Sequence, residues 1–407
     1  MLKKTIKLFL YSAMLFTGFS IYVKGMIPSN LYVIPGDEVQ IKSLPIVSFE
    51  SQGASNTKEV VKSGQKLKYQ AKLFGVVPIK EVNVTTTENR KVSVAGTPFG
   101  IKMFSNGVMV VGFSEVITNT GYQSPAKLAG LKMGDVIMQL DDYSTKSNND
   151  VENYIQKNAE KPIKVIYMRD GIRSETVLVP VLDKNTQTYR TGMWVRDSSA
   201  GVGTMTFYDI QKGMFAGLGH GIKDTDTQKD IPLLSGEIVP VKIVGLTKSQ
   251  NGQAGELKGT FMTTFPSGKV LANIPNGVYG RIFNVPKENI MDVASPQEIE
   301  PGPAQIITTI NGTKPESYNI MIQKISLTGT NMNKNMIIRI TDDRLLSLTG
   351  GIVQGMSGSP IVQNGKLVGA VTHVFVNQVE RGYGIFAQNM VDTLDGIEKN
   401  NSLEKAG

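Results

Sequence analysis

The sharpest chemistry in this sequence sits in one short run, Gly355-Met-Ser-Gly-Ser-Pro360. A serine hydroxyl becomes a nucleophile only when a base takes its proton and N–H donors receive the developing oxyanion. Glycines beside Ser357 permit a tight turn that aims the N–H groups of Gly355 and Ser357 into one oxyanion hole. The base must come from two histidines, His220 and His373. His220 stands in Gly217-Leu-Gly-His-Gly-Ile222, a glycine-flanked turn from which an imidazole can project into a cleft. An ordinary imidazole pKa of about 6.5 suits a base working near neutral pH. His373 stands in the apolar run Ala370-Val-Thr-His-Val-Phe375 and reads as a satisfied residue in or beside a core. A carboxylate should orient the base. Asp342 is favoured, with its neighbour Asp343 as the alternative, because Ile340-Thr-Asp-Asp-Arg-Leu-Leu346 runs up to the serine loop. Asp224 and Asp226, close after His220, read as part of a solvated loop.

Elements must hold these groups, and 407 residues suffice for two to four domains. The absence of cysteine excludes disulfides, a thiol nucleophile and Cys-ligated metal sites. Two histidines nearly exclude a multi-imidazole metal site, and acyl transfer by a serine, a base and an oxyanion hole needs neither metal nor organic cofactor. The formal charge is +8. Lys3, Lys4, Lys7 and Lys24 supply half of it before the first acid, Asp37. No basic run with interleaved aromatics follows, which argues against a nucleic-acid partner.

Those first lysines precede an uncharged stretch from Leu8 to Val23. Sixteen residues lie between a signal-peptide core and a full membrane span. Small-residue cleavage signals are weak, so an uncleaved signal anchor is favoured over residues 1–27, with a cleaved signal peptide and a secreted product as the alternative. The basic flank then stays in the cytoplasm and everything after Lys24 lies outside. Residues 28–94 read as a linker with a β-rich segment of no nameable fold.

Residues 95–182 carry Ser124-Pro-Ala-Lys-Leu-Ala-Gly-Leu-Lys-Met-Gly-Asp-Val-Ile137. A helix is expected at about 149–157, where Val151, Tyr154 and Ile155 share a face. Asp170-Gly171 marks a hairpin. The run resembles the PDZ domains of bacterial proteases. That implies a groove accepting an extended peptide as an added strand, with Pro98, Phe99, Gly100 and Ile101 near the peptide carboxylate. From 185 to 407 short strands dominate, punctuated by Gly, Asn and Pro, as in an all-β barrel or double barrel.

The serine run, followed by a strand and an Asn364-Gly365 hairpin, resembles the nucleophile loop of chymotrypsin-like peptidases, which puts the nucleophile at Ser357 and not Ser359. Met356 stands where trypsin-type loops have an aspartate, so activation by an N-terminal salt bridge to that position is excluded. Gly192-Met-Trp-Val-Arg-Asp-Ser-Ser-Ala-Gly-Val-Gly-Thr-Met-Thr-Phe207, Gly-His-Gly221 and Thr349-Gly-Gly-Ile-Val-Gln-Gly-Met-Ser-Gly-Ser-Pro-Ile361 together resemble the stage IV sporulation protein B (SpoIVB) peptidases. The likeness spans about residues 95–394. It implies a mainly β chain: a membrane anchor, a PDZ domain, then a chymotrypsin-like double β-barrel serine peptidase. It also implies catalytic His220, Asp342 and Ser357. The implied role is an exported signalling protease of endospore formers that processes itself and cuts membrane-bound regulators between the spore membranes. The rival expectation is a membrane-anchored PDZ scaffold on a degenerate, non-catalytic peptidase fold.

Overall fold

The computed structural model describes residues 2–34, 37–52, 65–329 and 331–404. A helix over Leu2–Met26 opens the chain, and Pro28 follows its end. Its stretch Lys4–Met26 is long and apolar enough to cross a membrane. Leu8, Phe9, Met14 and Leu15 are all exposed. No described residue covers them, and water is a poor solvent for such a face. The last turns differ: Val23 and Ile27 are buried with Leu31, Leu73 and Val84. They belong to the core of a four-stranded sheet ordered Asn30–Val33, Val77–Thr86, Lys66–Leu73 and Val47–Ser51.

The PDZ unit is built on the second half of the strand Pro98–Phe113 with Val136–Leu140, Ile163–Arg169 and Ile172–Leu178. Its long helix is Asn148–Asn158, begun by a capping box in which the Ser147 hydroxyl and the Asp150 carboxylate each take the other's backbone N–H. Val151 and Ile155 bury the helix against Ile137, Val165 and Leu178. Asp135 of the Gly-Asp-Val-Ile stretch is a structural group: its buried carboxylate pairs with Arg169 at 2.6 Å and accepts the Lys132 N–H at 2.8 Å.

Two six-stranded rings follow. The first runs Pro98–Phe113, Leu233–Thr247, Gly268–Ile274, Gly277–Ile282, Met214–Gly217 and Met193–Asp209, and pairing of the last with the first closes it. The second is a closed barrel of Gly302–Thr308, Glu316–Ile325, Met336–Ile340, Gln378–Phe386, Lys366–Phe375 and Pro360–Gln363. Alternate burial along Glu316–Ile325 places Tyr318, Ile320 and Ile322 inside it. A C-terminal helix, Ala387–Glu404, seals the assembly through Met390, Val391 and Leu394.

Residues 98–105, at the start of the stretch expected to form the PDZ unit, also form a strand of the first ring, so the two units share this strand. The expected carboxylate loop is corrected. Phe99, Gly100 and Ile101 are strand residues with both edges occupied, pairing with Gly203, Val202 and Gly201 on one side and Pro240, Val239 and Ile238 on the other. No row of free N–H groups remains there for a peptide terminus.

Candidate active site

The barrels meet along a cleft of about 780 Å3 lined by Leu218, His220, Gly355, Ser357 and His373. His220 arrives on the turn after Met214–Gly217. Leu218 takes φ +65° and Gly219 φ +69°. Left-handed backbone costs a bulky residue such as leucine about 1–3 kcal/mol and gathers at working sites. A Cβ on Gly219 would stand 2.8 Å from the Thr372 methyl, so glycine lets this turn press against the second barrel. As a result the His220 and His373 rings lie 4.9 Å apart, inclined at 36°. His373 is therefore not the satisfied core residue its apolar strand implied. It faces the cleft, and its buried Nδ1 has no hydrogen-bond partner among the described residues.

His220 Nδ1 lies 2.9 Å from the carbonyl oxygen of Gly221. That contact assigns the proton to Nδ1 and leaves the Nε2 lone pair free. Burial lowers the His220 pKa below the usual imidazole value, the Gly221 carbonyl opposes the shift, and Lys223 adds to it. His373 is pushed down to about 4, first by burial and then by His220, Lys334 and Lys223. Both rings are neutral at neutral pH.

The serine loop is pinned from both sides. Thr204 of the first barrel donates its N–H to the Ser357 carbonyl at 3.0 Å and its hydroxyl to the Gly355 carbonyl at 2.7 Å. Two residues on, the Thr206 hydroxyl donates to the Gly358 carbonyl at 2.8 Å. Gly358 has φ +92°, and a Cβ there would overlap the Thr204 carbonyl oxygen. Met356 is fully buried in the second barrel's core, and the Ser359 hydroxyl closes the turn onto the Met356 carbonyl at 2.6 Å. With the carbonyls tied away, the N–H groups of Gly355 and Ser357 meet no acceptor among the described residues. The Ser357 hydroxyl donates to the Thr372 carbonyl at 2.7 Å, beside His373. The two threonines are functional supports that went unassigned in the sequence. Hydroxyls at alternate positions in Gly203-Thr-Met-Thr-Phe207, on one face of a strand, were the available signal.

Asp342 does not join this group. It is the N-cap of the helix Asp343–Thr349: Oδ1 accepts the Leu345 N–H at 3.0 Å and Oδ2 the Asn319 N–H at 3.2 Å. Asn333 and Lys334 line the cleft just before the strand Met336–Ile340, and Asp342 follows that strand's far end. At ~3.3 Å per strand residue the separation is on the order of 15–20 Å. Asp343 is exposed beside it. Asp224 is also placed differently from expectation. It is buried, not solvated, where it pairs with Arg196 and accepts the N–H groups of Asp226 and Thr227 at 3.0 and 2.9 Å.

The strand beside the PDZ helix comes from the chain's own path into the barrels, and a pocket of about 380 Å3 lies between them, lined by Val151, Ile155, Tyr189 and Val195. Met193, Trp194 and Val195 pair with Phe113, Gly112 and Val110. Gln156 of the PDZ helix donates its amide N–H to the Tyr189 carbonyl at 2.6 Å and accepts the Tyr189 N–H at 3.0 Å. The chain's own path into the peptidase barrels thus forms one wall of the groove beside the PDZ helix.

Comparison with known proteins gives two family matches along the chain. A PDZ domain family matches residues 83–179, and the SpoIVB peptidase S55 family matches residues 187–391. The serine protease Do-like HtrA of Lactococcus lactis subsp. cremoris is 29% identical over 154 residues, covering 28% of this chain and 37% of that protein. The chain thus spans about a third of the length of the curated relatives it matches. Among solved structures, the active form of the Rv3671c protease from M. tuberculosis is 15% identical, with a TM-score of 0.29 over 49% of this chain and 74% of that one. A PDZ domain of an SdrC-like protein from Listeria monocytogenes is 20% identical, with a TM-score of 0.19 over 22% of this chain and 87% of that one. The family pattern covers half of the chain, including both histidines and the whole serine loop, and the protein belongs to the SpoIVB peptidase S55 family.

Proposed function

We propose that this chain is a membrane-anchored serine endopeptidase in which Ser357 attacks a peptide carbonyl and His220 Nε2 takes its proton. The observation that carries this reading is convergence: Ser357, His220 and the open N–H pair of Gly355 and Ser357 face one cleft between two barrels. The hydroxyl leaves the Thr372 carbonyl by rotation about χ1 and turns to the imidazole. The N–H pair receives the oxyanion as the tetrahedral adduct forms. His220 then returns the proton to the leaving amine, and water releases the acyl group by the same path in reverse.

In this mechanism no carboxylate orients the base. The Gly221 carbonyl fixes the tautomer, and the His373 ring packs beside His220 as a positioning residue. Asp342→Asn is therefore expected to keep peptide cleavage within about ten-fold of wild type, because asparagine caps a helix as well as aspartate does. A loss near the ~10,000-fold that follows removal of a triad carboxylate would return Asp342 to the site.

The biological role follows the family resemblance: export, self-processing near the N-terminus, and limited cleavage of membrane-bound regulators between forespore and mother cell. Those cuts release an intramembrane protease and so activate a late sigma factor. One observation favours the scaffold reading, the bond that holds the Ser357 hydroxyl on a carbonyl instead of on His220. A fluorophosphonate probe decides between them. Label is expected on Ser357, mapped by mass spectrometry. Its rate should stay level from pH 8 to below about 6.5, because a depressed imidazole pKa keeps the base neutral until the pH falls through the lowered value. An unlabelled, folded protein would favour the scaffold, and an acid limb at pH 7 or above would remove His220 as the base.

A further inference from the structure

We propose that the hairpin tip Phe74-Gly75-Val76 is a second membrane contact, inserted into the outer interface of the bilayer that the first helix crosses. The tip joins the strands Lys66–Leu73 and Val77–Thr86. Phe74 is 57% exposed and Val76 76% exposed. Phe74 and Gly75 have φ +51° and +74°, closed by the Val76 N–H on the Leu73 carbonyl at 3.1 Å. A β-turn with positive φ at both central residues favours Asn-Gly or Asp-Gly, and a large apolar residue at positive φ is strained. Here the turn accepts strain to present an aromatic ring to the outside. In water neither the strain nor the exposure is compensated, whereas a bilayer interface compensates both.

The position of the tip fits that surface. The Phe74 ring stacks on Phe19 of the helix, with ring centroids 6.5 Å apart. Phe19 lies one helical turn, about 6 Å, toward the membrane from Val23, the first helix residue buried in the sheet core. The uncharged run Leu8–Val23 spans only about 24 Å, short of the ~30 Å hydrocarbon core, so the bilayer must thin or be met at its boundary by neighbouring apolar groups. The tip stands at that boundary. Lys24 directly follows Val23, and Lys80 donates to the Ile27 carbonyl, which places two cations at headgroup height, while Lys72 is paired with Glu50. The fitting partner is an anionic lipid surface.

This proposal rests on the helix being a membrane span, and the experiment separates the two. The chain has no cysteine, so single cysteines carry an environment-sensitive fluorophore without background. The full chain, carrying Ser357→Ala to prevent self-cleavage, is reconstituted into phosphatidylethanolamine–phosphatidylglycerol vesicles with a label at Val76→Cys, Leu15→Cys or Ile172→Cys. Ile172 follows the PDZ hairpin turn and is exposed. Nitroxide lipids should quench positions 76 and 15, and iodide should quench position 76 roughly five-fold less than position 172. If 76 behaves like 172 while 15 stays lipid-quenched, the hairpin proposal fails and the span survives. If 15 is also iodide-quenched, the span fails and the proposal with it. Shielding of 76 from both quenchers would mean that protein covers the tip, which overturns the lipid assignment.

Discussion

Ser357→Ala is expected to lower peptide-bond cleavage by about four to six orders of magnitude and to abolish fluorophosphonate labelling, with the fold intact. The size follows from the chemistry, since without the hydroxyl no acyl-enzyme can form and only the oxyanion hole and binding remain. The fold should survive because the loop is held by its backbone. Thr204 and Thr206 tie the carbonyls of Gly355, Ser357 and Gly358, and Met356 anchors the turn in the core. The hydroxyl itself contributes one bond, to the Thr372 carbonyl, worth about 1 kcal/mol. The test is the N-terminal trimming of the purified chain, followed by gel and mass spectrometry beside a thermal melt. A folded variant that still trims within ten-fold of wild type would show that another group performs the attack.

The sequence carried the local parts of this site and not the long-range ones. Glycines around Ser357 and His220 announce turns, because glycine takes left-handed backbone without strain, as Gly219, Gly355 and Gly358 do, and both turns are present. The PDZ helix, its cap and the Asp170-Gly171 hairpin follow from short-range spacing in the same way. The strand Pro98–Phe113 misleads because one continuous strand serves two units. Its first half pairs with Leu233–Thr247, more than a hundred residues away, and no local pattern announces that partner. Asp342 misleads differently. An acid shortly before the serine loop fits an orienting carboxylate, yet an Asp three residues ahead of Leu345-Leu346 equally fits a helix cap, and the run of the strand before it decides for the cap. His373 looked buried because its strand is apolar. Its ring faces the cleft because the strand register shifts between Val371 and Val374, and its neighbour His220 comes from the other barrel.

That arrangement leads to the second large effect. His220→Ala is expected to cost as much as Ser357→Ala, about four to six orders of magnitude, and the double variant should be no slower than either single one. Groups that act as one unit fail together, whereas two independent contributions would multiply. His373→Gln should fall between wild type and these losses, at roughly 10- to 100-fold, the range expected when a base is merely misplaced. Glutamine removes the ring that packs on His220 but leaves the Gly221 carbonyl holding the Nδ1 proton. The His373→Gln loss should appear mainly in kcat, since the change acts on the ring that positions His220. The reverse ranking, with His373→Gln as damaging as Ser357→Ala and His220→Ala mild, would transfer the base role to His373. The present geometry gives that outcome a definite meaning, because the Ser357 hydroxyl rests on the carbonyl of Thr372, the residue next to His373. Near-neutral behaviour of both histidine variants would remove imidazole catalysis from this cleft altogether.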